Sequence, residues 1–98
     1  MDKFLKLENE FLKIKIDSVF GGKIVQILDK KNNINWVWFN EKEYFNFKPD
    51  QFSNYDSQWI GGFEELFPND KIETFNSKQA PDHGELWSSK WVVNHESE

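Results

Sequence analysis

A chain of 98 residues carrying a net charge of −5 has room for one domain at most and buries only a modest share of its surface. Aromatic residues reach 17%, with five Trp and ten Phe, a content that disordered segments lack, so this is folded material or part of something folded. All 12 basic residues are Lys, none clustered with aromatics, and Cys is absent, which argues against nucleic acid as partner and excludes disulfides, thiolate nucleophiles and Cys-ligated metal.

The opening M-D-K-F-L-K-L-E-N-E has no apolar stretch of signal-peptide type, and no run reaches the length of a membrane span. A cytoplasmic chain with no membrane partner is expected. Two His residues, His83 and His95, are too few and too unpatterned for a His-based zinc site. No metal and no cofactor are expected.

In chain order, residues 4–7 and 11–17 read as strands joined at Glu8-Asn9-Glu10. Leu12, Ile14 and Ile16 alternate with Lys13, Lys15 and Asp17, the period-2 pattern of a half-buried strand. Gly21-Gly22 suits a tight reversal. Residues 23–29 carry apolar groups on both faces, Ile24 and Leu28 on one, Val25 and Ile27 on the other, which predicts an inner strand. Asp29 to Asn33 is a turn by composition, and residues 34–39, β-branched and aromatic, predict a fourth strand. From Asn40 to Tyr55 periodicity dissolves around Pro49, and a long loop is expected. Its Phe45, Phe47, Phe52 and Tyr55 read first as cover for the core, with the wall of a binding site as the sharper alternative.

Gly61-Gly62 allows a turn or a close approach before Phe63-Glu64-Glu65. Neighbours on a strand point to opposite faces, so at most one of Glu64 and Glu65 is expected at a common site, and either alone reads as a solvated corner. Residues 69–80 read as a polar spacer. If 83–91 is extended, His83, Glu85, Trp87, Ser89 and Trp91 share one face. Such a row makes poor core and good lining for a polar-aromatic site. For His83 taken singly, a hydrogen-bonding corner outweighs a functional role, and for Trp59, Trp87 and Trp91 ordinary packing does. His95 reads as solvated.

The order G-G-F-E-E-L-F-P at 61–68, P-D-H-G-E-L-W at 81–87 and Trp91 downstream resembles the aldose 1-epimerase (galactose mutarotase-like) family. The weaker opening pattern E-N-E-F-L-K-I-K-I-D followed by F-G-G-K-I-V-Q-I-L-D-K is similar to that family's first meander. The resemblance implies an all-β chain, the N-terminal part of a β-supersandwich with an antiparallel meander and long loops. Residues 1–98 would then be a single partial domain. It implies an aldohexose as small-molecule partner and interconversion of its α and β anomers. In the family a glutamate base removes the C1-hydroxyl proton while an imidazole protonates the ring oxygen. On this mapping His83 is the first active-site histidine, near the ring oxygen and assisting position and charge while the second histidine is the acid, Gly84 lets the sugar approach the backbone, and Glu85, Trp87 and Glu64 line the substrate site.

The family's second histidine and its glutamate base come later than residue 98. His95 lies too close to His83 for that histidine, and Glu64 and Glu65 are not at the base's place in the motif order. The 98 residues alone are therefore expected to be inactive, marginally stable and prone to self-association through exposed strand edges. The lack of Arg leans against phosphorylated sugars. A non-catalytic carbohydrate-binding module and a structural β-sandwich fragment are the alternatives.

Overall fold

The alternation of apolar and charged residues sets the first sheet of the computed structural model, which describes residues 4–94; His95 and its solvated reading lie outside them. β1 (Leu5–Glu8) and β2 (Leu12–Asp17) pair antiparallel, with Leu5 opposite Ile16 and Leu7 opposite Ile14. Asn9 closes the reversal, its carboxamide oxygen accepting the N–H of Phe11 and of Leu12 at 2.8 Å each. That side chain mimics a backbone turn. β3 (Lys23–Asp29) pairs with β2 across an irregularity at Lys15/Ile16, and β4 (Ile34–Asn35) pairs with β3. The order is β1-β2-β3-β4, so β3 is an inner strand, as its two apolar faces predict. Gly21 and Gly22 make the reversal before it at φ +74° and +60°, a region that costs glycine nothing.

The regular elements of the described chain are mostly antiparallel β-strands, with two short helical segments. Four stretches depart from expectation. The fourth strand spans Ile34–Asn35 rather than 34–39, because the Asn35 side chain competes for the ladder. Its oxygen accepts the N–H of Ile27 at 3.2 Å and of Val37 at 3.1 Å, diverting the backbone. The expected loop 40–55 contains a 3-10 helix, Glu41–Asn46, and leads into α1 (Tyr55–Gln58). Asn40 and Asn54 cap them, accepting the N–H of Glu43 at 3.3 Å and of Ser57 at 3.0 Å, the usual work of Asn at a helix start.

The expected spacer 69–80 contains a hairpin of β5 (Glu73–Phe75) and β6 (Lys78–Ala80). Asn76 and Ser77 at its tip both have positive φ, +49° and +66°, as a two-residue turn matching strand twist requires. Residues 83–91 are not extended. They coil through turns closed by Gly84 N–H to Pro81 O at 3.1 Å and Ser89 N–H to Leu86 O at 3.2 Å, so the expected common face does not form.

The main core cluster is built by loops, while β3 buries Val25. Phe47, Ile60 and Trp87 are buried together, with Phe20, Phe39, Tyr44 and Tyr55 packed against them. Phe20 meets Phe47 edge-on at 5.1 Å between centroids, a geometry aromatic quadrupoles favour. Of the loop aromatics, Phe47 and Tyr55 join the core, while Phe45 and Phe52 are 80% and 83% exposed. Leu7, Phe11, Leu12 and Ile34 of the sheet region are exposed, as are Trp36, Trp38 and Trp59. Trp38 and Trp59 stack at 5.3 Å.

Candidate functional site

The site begins at Lys23, the first residue of β3 and 1% exposed. A buried ammonium needs partners, and Lys23 has three. Its Nζ donates to the Gly61 carbonyl at 2.8 Å, lies 2.9 Å from Glu64 Oε2 and sits 4.8 Å above the Phe47 ring. Backbone pairing brings the two charges together. Ile24 and Phe63 exchange N–H···O bonds at 2.8 Å each, and residues 60–62 pair with 38–40 through Asn40 N–H to Ile60 O and Gly62 N–H to Trp38 O.

Glu64 Oε1 accepts the hydroxyl of Tyr55. Burial, then the Glu64 carboxylate, push the Tyr55 phenol well above its ordinary range, so it stays a protonated donor. Tyr55 starts α1, and its backbone N–H donates to Asp82 Oδ2 at 2.8 Å. Its ring lies flat on the His83 imidazole, with centroids 3.8 Å apart and planes 8° from parallel. Trp87 meets the same ring edge-on at 5.1 Å.

His83 adopts φ +59°, uncommon outside glycine though tolerated by Asn, Asp and His. Its Nδ1 is 2.8 Å from Asp82 Oδ1. The Tyr55 N–H, then His83 itself, hold the Asp82 carboxyl below the usual carboxylate range. Asp82 is therefore the acceptor and Nδ1–H the donor, while His83 Nε2 makes no hydrogen bond among the described residues.

These groups border a cavity of about 240 Å³ whose lining includes Tyr55, Phe63, Glu64, Glu65, His83 and Trp87. A larger groove, about 540 Å³, is lined mainly by apolar side chains such as Val19, Phe20, Phe45 and Pro49. Of these two, the smaller carries the carboxylates and the imidazole.

Of the residues singled out in sequence, His83, Glu64 and Trp87 meet at this cavity. Glu65 joins them, because residues 64–66 do not form a regular strand and adjacent carboxylates need not face apart. Trp87 is also core, 2% exposed with its indole N–H donated to Asp82 O at 2.8 Å. Gly84 is buried away from the lining. At φ +83°, a Cβ there would stand 2.1 Å from Phe67 O, so the backbone that approaches Gly84 is the protein's own. Glu85 is exposed and does not line the cavity.

Lys23 and Asp82 belong to the site without having been singled out, while Tyr55, read as core cover or as the wall of a binding site, serves as both. For Asp82 the signal was present, a carboxylate directly before the imidazole. Among the described residues no cluster of three or more His, Asp or Glu could hold a metal ion, and no helix is long and apolar enough to cross a membrane. No protein-family model matches the chain, and neither a curated protein nor a solved structure matches it.

Proposed function

We propose that the cavity binds the ring of a monosaccharide and that His83 acts there in interconverting α and β anomers, as in an aldose 1-epimerase-like isomerase. The observation that carries this reading is the His83 imidazole, held by Asp82 and Tyr55 with Nε2 uncommitted, in a cavity shared with Glu64, Glu65 and Trp87. The volume, about 240 Å³, falls below the ~300–1,000 Å³ of clefts for drug-sized ligands, a scale suited to one sugar ring. Carboxylates take hydroxyl hydrogens, aromatic walls take C–H faces, and imidazole exchanges protons near neutral pH.

Glu64 has one oxygen on Tyr55 and the other beside Lys23. It serves as a fixed anionic floor rather than as the base, which the resemblance puts beyond residue 98 together with the second histidine. That commitment of Glu64 also favours a second reading, a carbohydrate-binding module that binds without turning over.

Polarimetry of freshly dissolved α-D-galactose tests the proposal. A protein carrying these residues and the downstream groups accelerates mutarotation, and residues 1–98 alone do not. His83→Asn, which tolerates the positive φ, lowers the rate by roughly 10²-fold or more, the usual share of an acid–base group. A variant with undiminished rate would overturn the role of His83, and sugar binding without acceleration in the complete protein would favour the second reading.

A further inference from the structure

We infer that Asp82 and Tyr55 are positioning residues that fix His83 as the Nδ1–H tautomer, making Nε2 a hydrogen-bond acceptor and the cavity a reader of hydroxyl donors. The inference rests on the cavity being a sugar site. Which imidazole nitrogen carries the proton is set by what the other one faces. Here Nδ1 faces the Oδ1 of Asp82 at 2.8 Å, while the Tyr55 N–H occupies Oδ2 at 2.8 Å. One carboxylate thus receives two donors, one on each oxygen. An ionised carboxylate can only accept, so Nδ1 keeps its hydrogen and the Nε2 lone pair is what remains to offer. The Tyr55 ring, flat against the imidazole at 3.8 Å, opposes tilting out of that plane. Tyr55 is itself tied at its hydroxyl to Glu64, which Lys23 holds from below.

The same pattern extends around the cavity. The side-chain donors on its wall are all spent within the protein: the Tyr55 hydroxyl on Glu64, the Trp87 indole N–H on Asp82 O, and His83 Nδ1–H on Asp82. Lys23 is committed to Glu64 and Gly61. What the side chains leave for a ligand are acceptors, His83 Nε2 and the Glu65 carboxylate, above the committed anionic floor of Glu64. A neutral polyol supplies hydroxyl donors to each. A sugar phosphate brings acceptors and negative charge to a wall already anionic, and discrimination follows from those mismatches.

Asp82→Asn gives a sharp test. The single carboxamide oxygen is claimed by the Tyr55 N–H, so the NH₂ turns toward Nδ1 and donates to it, forcing the proton to Nε2. Long-range ¹H–¹⁵N correlation spectra at about pH 8, where imidazole is ordinarily neutral, distinguish the tautomers directly, with His83→Asn assigning the signal. The expected result is a protonated Nδ1 and a bare Nε2 in the unmodified protein, reversed in Asp82→Asn. D-galactose should bind the unmodified protein at least tenfold more tightly than galactose 6-phosphate, and Asp82→Asn should lose roughly tenfold in galactose affinity, the scale of one hydrogen bond.

An Nε2–H tautomer in unmodified protein that binds galactose would overturn the inference and leave the sugar site standing. The Nδ1–H tautomer with no sugar binding would support the clamp while removing the reading on which its purpose rests. Because the first spectrum needs no variant, a misfolded Asp82→Asn does not remove the test. Equal or tighter binding of the phosphate would refute the hydroxyl-donor preference.

Discussion

Replacing Lys23 by Met tests the floor of the site through stability. The ammonium and the Glu64 carboxylate lie 2.9 Å apart, with side chains 2% and 7% exposed. Removing one partner of a buried pair leaves an uncompensated charge and costs about 3–5 kcal/mol, a large share of the roughly 5–15 kcal/mol available to a domain. Met keeps much of the apolar stem that packs on Gly62. The loss is therefore electrostatic rather than a cavity effect. Adding Glu64→Gln removes the stranded charge while keeping an acceptor for the Tyr55 hydroxyl. The double variant should then recover to within about 1–2 kcal/mol of the parent, the unpaired Gly61 carbonyl remaining. Urea unfolding followed by tryptophan fluorescence measures the parent, both single variants and the double, and return of a cooperative transition in the double variant is the qualitative form of the result. A Lys23→Met cost below about 1 kcal/mol, or a double cost equal to the sum of the singles, would refute the buried pair.

Gly84→Ala should destabilise by about 2–4 kcal/mol, combining positive-φ strain with a backbone clash at Phe67; an unchanged urea midpoint would contradict that packing. Asp82 is held below its unfolded value by the Tyr55 N–H and His83. Its contribution to stability is thus full above the ordinary aspartate range, near ~3.9, and is lost as pH falls through the folded value. Asp82→Asn should accordingly show a shallower stability loss between pH ~5 and ~3 than the parent, read by urea unfolding across that range. Residues 1–98 alone should self-associate through the exposed β1 edge and the apolar surface of Leu7, Phe11 and Leu12. Sedimentation velocity showing a concentration-independent monomer would count against this.

The first sheet was legible because its signals are local: alternation in β2, two apolar faces in β3 and the Gly21-Gly22 reversal need only neighbours in sequence. The premature end of β4 came from a side chain, Asn35, bonding two backbone N–H groups, which its strand-forming neighbours concealed. The β5–β6 hairpin had a signal in Asn76-Ser77 that the polar composition around it masked. At the site, the His-Gly motif pointed to His83, but an extended strand was the wrong frame for it. Its actual neighbours arrive from far along the chain, Lys23 reaching Gly61 across 38 positions and Tyr55 meeting Asp82 across 27. The first follows from the pairing of Ile24 with Phe63 and of residues 38–40 with 60–62, and no single stretch encodes that.

The most direct measurement is a ¹H–¹⁵N spectrum of the protein titrated with D-galactose. The account predicts saturable shifts centred on the backbone of Glu64, Glu65 and His83 and on the indole of Trp87. Shifts confined to the exposed stack of Trp38 and Trp59, or none at concentrations that saturate a monosaccharide site, would contradict it.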